Sequence, residues 1–251
     1  MKIYLAGGGS YQRQKKEAVE ELRKEIPGLE VNLLETFFEI CFKPRPILIE
    51  NYNLLLDSGA FSFLSSGKEI KWDEYVTRYI EYIKKKDVKL FFELDIDKII
   101  GYDRVKEIRR RLERETGKRP IPVWHKHLGK QEFLRMCDEY DYVAIGGLAI
   151  GDIKQTQYQY LPAFIREAHK RSTKIHGLGL THSAWLPKLH FDSVDSSSWS
   201  AGMRYGQIYT FTGRTINQTK KPAGHRVKSR DVAIYNFKEW LKFANWAEAH
   251  L

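Results

Sequence analysis

Short apolar runs recur along the chain at intervals that suit alternating strands and helices. They fall at residues 2–6, 30–34, 53–58, 89–96, 121–124, 142–146, 174–178 and 191–195, eight in all. Between them, apolar positions spaced three and four apart predict amphipathic helices, clearest at 10–26, 72–86, 103–116, 131–140 and 157–171, with Ser10 as the N-cap of the first. The stretch VNLLETFFEI at 31–40 fits a helix as well as a strand. Near-continuous apolar strands alternating with amphipathic helices predict a parallel sheet covered by helices. Eight such units without a linker predict an α/β fold closed as a (β/α)8 TIM barrel, one domain over residues 1–251. Residues 231–251 read as a terminal helix that packs Trp240 and Trp246.

In a barrel of this kind the reacting groups sit at the carboxyl ends of the strands. Here those ends carry Asp57, then Asp95 and Asp97, His125 and His127, Gly146 and Gly147, His176 and Gly177, and finally Asp192 and Asp195. A single strand-end Asp can cap a helix and a strand-end Gly can make a turn. Aspartates at three strand ends around one rim predict chemistry instead. Two carboxylates facing each other across a ring suit displacement at an anomeric carbon: one attacks C1′, the other handles the proton of the leaving or entering group. His125 and His127 alternate and so share a face. With Asp195 they offer a metal-dependent, amidohydrolase-like alternative, although such barrels usually carry the pair on the first strand. The glycines at 7–9 sit where a phosphate-cradling turn could form, but Gln12 stands at the third glycine of that pattern, and a tight strand-to-helix turn is the expected use.

The balance of 42% hydrophobic and 29% charged residues is that of a soluble globular chain. No apolar run approaches the length of a membrane span and the start MKIYLAGGGS lacks a signal-peptide layout, so a cytoplasmic location is expected. Two cysteines, neither in a CxxC pair, exclude a zinc site built mainly on thiolates. The net charge of +10 is concentrated. From 196 to 230 there is no acidic residue, while Arg204, Arg214, Lys220, Lys221, Arg226, Lys228 and Arg230 are interleaved with Trp199, Tyr205, Tyr209 and Phe211. Cations that neutralise phosphates, beside aromatic faces that stack on bases, predict a nucleic-acid partner.

Five segments, DSGAFS at 57–62, LDID at 94–97, VAIGGLAIG at 143–151, HGLGL at 176–180 and VDSSSWSAGMRYG at 194–206, resemble in the same order the signature segments of the tRNA-guanine transglycosylase superfamily. By size and by the DSGAF form the chain is most similar to the phage-type 7-deazaguanine DNA transglycosylases, the DpdA-like branch. The resemblance implies exchange of guanine in DNA for a 7-deazaguanine base such as preQ0, with no cofactor. Asp195 would be the nucleophile that holds a covalent glycosyl intermediate, and Asp57 the general acid/base. Phe61 and His176 would stack on the two faces of the base, and Asp95 would read its N1 and amino edge. Gly146, Gly147 and Leu148 would line the base pocket with backbone groups, Gly177 beside them. His125 falls where the family often has a base-reading glutamine, and Arg204 where it has a phosphate-binding arginine. The cysteines of the family's C-terminal zinc subdomain are absent, which favours DNA over tRNA. A tRNA-directed enzyme and a non-catalytic nucleic-acid-binding subunit are the alternatives, and a homodimer or a helper protein is compatible with either.

Overall fold

Four of the five residues of the first strand, Lys2–Ala6 (β1), are buried, as befits a strand covered on both faces. The computed structural model describes residues 1–7, 11–59, 62–63, 70–180, 182, 184–200, 206–220 and 228–251. β1, Asn32–Thr36 (β2), Asn53–Asp57 (β3), Leu90–Phe91 (β4), Val123–Trp124 (β5), Tyr142–Ile145 (β6), Lys174–Gly177 (β7) and Ser193–Ser196 (β8) form one parallel sheet in the order β4-β3-β2-β1-β8-β7-β6-β5. The sheet curls until its two edges meet. Phe92 bridges Ile121, the Glu93 N–H donates to the Ile121 carbonyl at 3.0 Å, and the Ile121 N–H donates to the Phe91 carbonyl at 2.8 Å. The fold is thus the expected (β/α)8 barrel in a single domain.

This seam is reinforced by a buried ion pair. Arg109 donates to Glu93 through Nε at 2.6 Å and through its second nitrogen at 3.1 Å. Glu93 Oε1 also accepts the Val123 N–H at 2.6 Å, so a carboxylate stands in for a ladder hydrogen bond between β4 and β5.

Helices Gln12–Glu25 (α1), Phe37–Phe42 (α2), Trp72–Lys85 (α3), Asp97–Ile100 (α4), Tyr102–Thr116 (α5), Gly129–Glu139 (α6), Leu161–His169 (α7) and Leu186–Leu189 (α8) connect the strands. In α3, Tyr75, Val76, Tyr79, Ile80 and Ile83 make one buried stripe, with Asp73 and Glu74 in the first turn and Lys84 and Lys85 in the last. Both charge placements favour the helix dipole. The ambiguous stretch at 31–40 is divided: strand as far as Thr36, then helix from Phe37, whose ring packs on Tyr75 and Tyr79. The helix expected over 157–171 opens as a 3-10 turn, Gln155–Tyr160, and becomes α-helical only at Leu161 with proline in its first turn. Ser10 lies outside the described residues, and Tyr11 occupies the cap position of α1.

Strand alternation separates two core layers. Tyr4, Ala6, Leu34, Leu55, Phe92, Val123 and Ala144 fill the barrel interior. Ile3, Leu5, Leu33, Val143, Ile145, Ile175 and Val194 face the helices. After β8 comes an antiparallel hairpin that the sequence pattern did not reveal, Gln207–Phe211 (β9) and Ile216–Lys220 (β10). The terminal helix Ser229–His250 (α9) covers the free edge of β9. Asn236 accepts the Tyr209 N–H at 2.9 Å, and Glu239 accepts the Phe211 N–H at 2.8 Å. Side chains thereby replace the strand that would otherwise satisfy that edge. Among the described residues no helix is long and apolar enough to cross a membrane.

Three aromatic residues expected to face nucleic acid pack into the core instead. Trp199 is 1% exposed, donates its indole N–H to the Ala6 carbonyl and packs edge-on against Phe237. Tyr209 is buried against Trp240, and Phe211 is packed on Phe243 and Trp246. The packing of Tyr209 and Phe211 follows from the hairpin, which turns one face of β9 onto α9. Tyr205 lies outside the described residues.

Candidate active site

The carboxyl ends of the strands surround a cavity of about 200 Å³. Asp57 closes β3, Asp95 and Asp97 follow β4, His125 follows β5, Gly146 and Gly147 follow β6, and Asp195 lies in β8. All seven line this cavity, with Leu34, Phe92, Val123 and Leu178 as an apolar floor and Ile99 and Ile150 exposed at its rim. The period of two explains part of the gathering: Asp57, His125 and Gly146 are in phase with the interior residues Leu55, Val123 and Ala144, and Asp195 pairs with interior Tyr4, whereas Asp95, Asp97 and Gly147 lie beyond their strands, out of that phase. Lys98, Ala149 and Gly179 also line the cavity, and sequence reasoning did not single them out. Lys98 follows Asp97 directly and pairs with Asp152 across the rim.

Asp57 accepts the Gly59 N–H at 2.9 Å. Gly59 has φ +85°, and a Cβ there would lie 2.5 Å from Cβ of Phe38, so only glycine makes this turn. Burial is the main force on Asp57 and raises its pKa to about 7; the Gly59 hydrogen bond opposes the shift, and the charges of Asp195 and Asp95 add to it.

Asp95 and Asp97 each face a histidine. His125 Nε2 stands 2.6 Å from Asp95 Oδ1, and His127 Nε2 stands 2.8 Å from Asp97 Oδ2, with the two imidazole rings stacked. Burial alone would lower the His125 pKa, but the hydrogen bond and charge of Asp95, joined by Asp97, outweigh it and raise the value. Gly146 makes room for this ring, since a Cβ there would lie 2.5 Å from His125 Cε1. Asp95, Asp97 and His125 have ligand atoms within 4.8 Å of one another and could together face a cation. Tetrahedral ligands about 2.1 Å from an ion stand roughly 3.4 Å apart. The 2.6 Å separation of His125 and Asp95 is instead that of a hydrogen bond. Asp195 is not part of this group, so the histidine pair and Asp195 do not assemble as the amidohydrolase-like alternative requires.

Asp195 is 8% exposed. Its Oδ1 receives the Gly179 N–H at 2.6 Å and faces His176 Nε2 at 3.2 Å. His176 is fully buried, packs on Tyr4 and Phe92, and holds Ser193 Oγ at 2.5 Å through Nδ1. It therefore sits beneath Asp195 in the barrel interior and not on the cavity wall, which corrects its expected place beside a base ring. Gly177 is likewise behind the wall, facing the Phe191 ring, and Leu148 is buried while Ala149 and Ile150 reach the cavity. Asp192 falls at the opposite end of the barrel. It precedes β8, accepts the Ile175 N–H and pairs with His169.

Of the expected polynucleotide contacts, Arg214 lies exposed beside Gly213 at the hairpin turn, and Lys228 and Arg230 are exposed at the start of α9. Lys220 ends β10, and its side chain is outside the described residues, as are Phe61, Arg204, Lys221 and Arg226.

No protein-family model matches the chain, and no curated protein matches it. Among solved structures it is similar to a protein from Coccidioides immitis assigned as a fructose-1,6-biphosphate aldolase. The TM-score is 0.56 and the identity 9%, over 98% of this chain and 90% of that one. A likeness at that identity is a likeness of fold, and it agrees with the barrel architecture.

Proposed function

We propose that the chain is a DNA-guanine transglycosylase that exchanges guanine for a 7-deazaguanine base by double displacement. One observation carries the reading: Asp57 and Asp195, from strands on different sides of the mouth, line a single cavity together with the hydrogen-bonding carboxylate of Asp95. A guanine nucleotide extruded from DNA brings C1′ to Asp195, and extrusion costs a few kcal/mol of unstacking. A carboxylate oxygen of Asp195 bonds to C1′ while the bond from C1′ to N9 breaks, and Asp57 gives its proton to the departing base. Guanine leaves and the deazaguanine enters. Asp57 takes the N9 proton of the incoming base, N9 bonds to C1′, and Asp195 is released. A carboxyl with a pKa of about 7 suits a group that gives and takes a proton in alternate half-reactions near neutral pH. Asp95 accepts hydrogen bonds from the base's N1–H and amino group, two donors that guanine and its deaza analogues share. The apolar floor keeps water from the glycosyl ester, whose hydrolysis would leave an abasic site.

Labelled guanine incubated with the protein and either duplex DNA, single-stranded DNA or tRNA tests this directly. Label is expected in DNA, and Asp195→Asn is expected to abolish its incorporation. Label in tRNA alone would move the substrate to RNA with the same residues, and exchange that survives Asp195→Asn would overturn the catalytic assignment.

A further inference from the structure

A chain of hydrogen bonds runs from the cavity down through the barrel interior. It starts at Asp195 Oδ1, passes through His176 to Ser193 Oγ, and continues to the Tyr142 hydroxyl. Tyr142 lines a second, polar cavity at the opposite end of the barrel, with Lys2, Lys174 and Asp192. The register explains why these groups meet. His176 pairs with Ser193 across β7 and β8, and Ala144 with His176 across β6 and β7, so Tyr142, His176, Ser193 and Asp195 all occupy inward positions on three adjacent strands. A hydrophobic side chain is the usual filling of this layer. Here a fully buried imidazole takes the place, with the rings of Tyr4 and Phe92 beside it.

The His176 tautomer sets the direction of every bond. With the ring proton on Nε2, His176 donates to Asp195 Oδ1. In the neutral ring Nδ1 then accepts, which makes Ser193 the donor to it and Tyr142 the donor to Ser193. Two N–H groups, from His176 and Gly179, converge on Oδ1. No hydrogen bond from the described residues reaches Oδ2.

We propose that His176 is the positioning residue of Asp195, anchored in one tautomer by Ser193 and Tyr142, and that it immobilises Oδ1 so that Oδ2 is the oxygen presented to C1′. This deepens the transglycosylase reading and rests on it. Both donors act on the oxygen that does not react, so the carboxylate is held in orientation without losing the lone pairs it needs for attack. His176 touches neither base nor sugar in this scheme, and its effect on the reaction passes entirely through Asp195.

The test combines kinetics with a readout independent of turnover. His176→Leu removes the donor and is expected to lower kcat for guanine exchange about a hundred-fold with KM for DNA unchanged. His176→Gln, whose amide N–H can reach toward Asp195, is expected to recover part of that loss, and Ser193→Ala to lower kcat with the protein still folded. Nitrogen NMR of histidine-labelled native protein is expected to report His176 as the Nε2–H tautomer, and Ser193→Ala to relax that preference. Native kcat in a folded His176→Leu, or a leucine variant and a glutamine variant equally impaired, would overturn the positioning role while leaving the transglycosylase reading intact. If the native protein exchanges no guanine into any polynucleotide, the functional reading fails, and the tautomer alone decides the geometry: an Nδ1–H ring would sink it.

Discussion

Asp57 retains its proton at a pH where an ordinary aspartate has lost it, because burial outweighs the one backbone hydrogen bond that favours the anion. Its pKa is about 7 in the fold against an ordinary 3.8, so the folded state binds more protons between those values. The stability this group contributes is complete below 3.8 and is lost as pH rises through 7. Asp57→Asn keeps an acceptor for the Gly59 N–H and removes the titration. The variant is therefore expected to gain on the native protein by a few kcal/mol between about pH 4 and about pH 8, read as the difference in urea midpoints. An unchanged difference across that range would mean that Asp57 titrates normally. In the sequence, strand alternation alone decides Asp57, His125, Gly146 and Asp195, which stand at the last inward positions, whereas Asp95 and Gly147 reach the same cavity from beyond β4 and β6, out of phase with Phe92 and Ala144. His176 was misplaced for a physical reason. It is inward like the others but one layer lower, and the sequence alone does not set how far each strand is staggered along the barrel axis.

At the level of elements, the barrel is weakest where β4 and β5 meet. These strands have two residues each, and their contact is a single bridge with two backbone hydrogen bonds and the Glu93 side chain. Burial raises the Glu93 pKa to about 6 even though Arg109 pulls it down, so the carboxylate depends on its guanidinium partner. Arg109→Met leaves that charge buried and unpaired, and is expected to destabilise the protein by about 3–5 kcal/mol. Amide exchange at Val123 and Ile121 should accelerate more than at the paired strands β1 and β2. Equal acceleration everywhere would show that the seam does not open locally. The sequence made the eight strands visible because their apolar runs are nearly continuous, yet it extended the one at 89–96 well beyond the residues that pair. Apolar side chains past the ladder still pack inward, and a hydrophobic run reports burial and not pairing. The hairpin was hidden for the converse reason. β9 and β10 carry Gln, Thr, Asn and Lys among few apolar residues, and α9 satisfies β9 with Asn236 and Glu239, polar residues whose inward role no hydrophobic pattern announces.

Across the whole molecule, positive charge is divided into a neutralised part and a free part. On the helical surface Arg104 pairs with Asp73 and Glu107, Arg111 with Glu115, Lys118 with Asp87 and Arg171 with Asp138 and Glu167. Arg214, Lys228 and Arg230 are exposed and form no ion pair with any described residue, in a stretch of 35 positions that contains no acidic side chain. Paired surface cations are already compensated and release few counterions when a polyanion approaches, whereas unpaired ones each neutralise a phosphate. If the hairpin and the start of α9 track a DNA backbone, Arg214→Gln, Lys228→Gln and Arg230→Gln should each reduce the slope of log K against log salt by about 0.9 on duplex DNA, and weaken binding equally for all sequences. Arg104→Gln, which removes a paired cation of the same type, should leave the slope unchanged. A slope insensitive to all three substitutions would place the polynucleotide elsewhere on the rim. A loss of affinity confined to particular sequences would make these side chains readers of bases, a role their position on an exposed turn and a helix start does not favour.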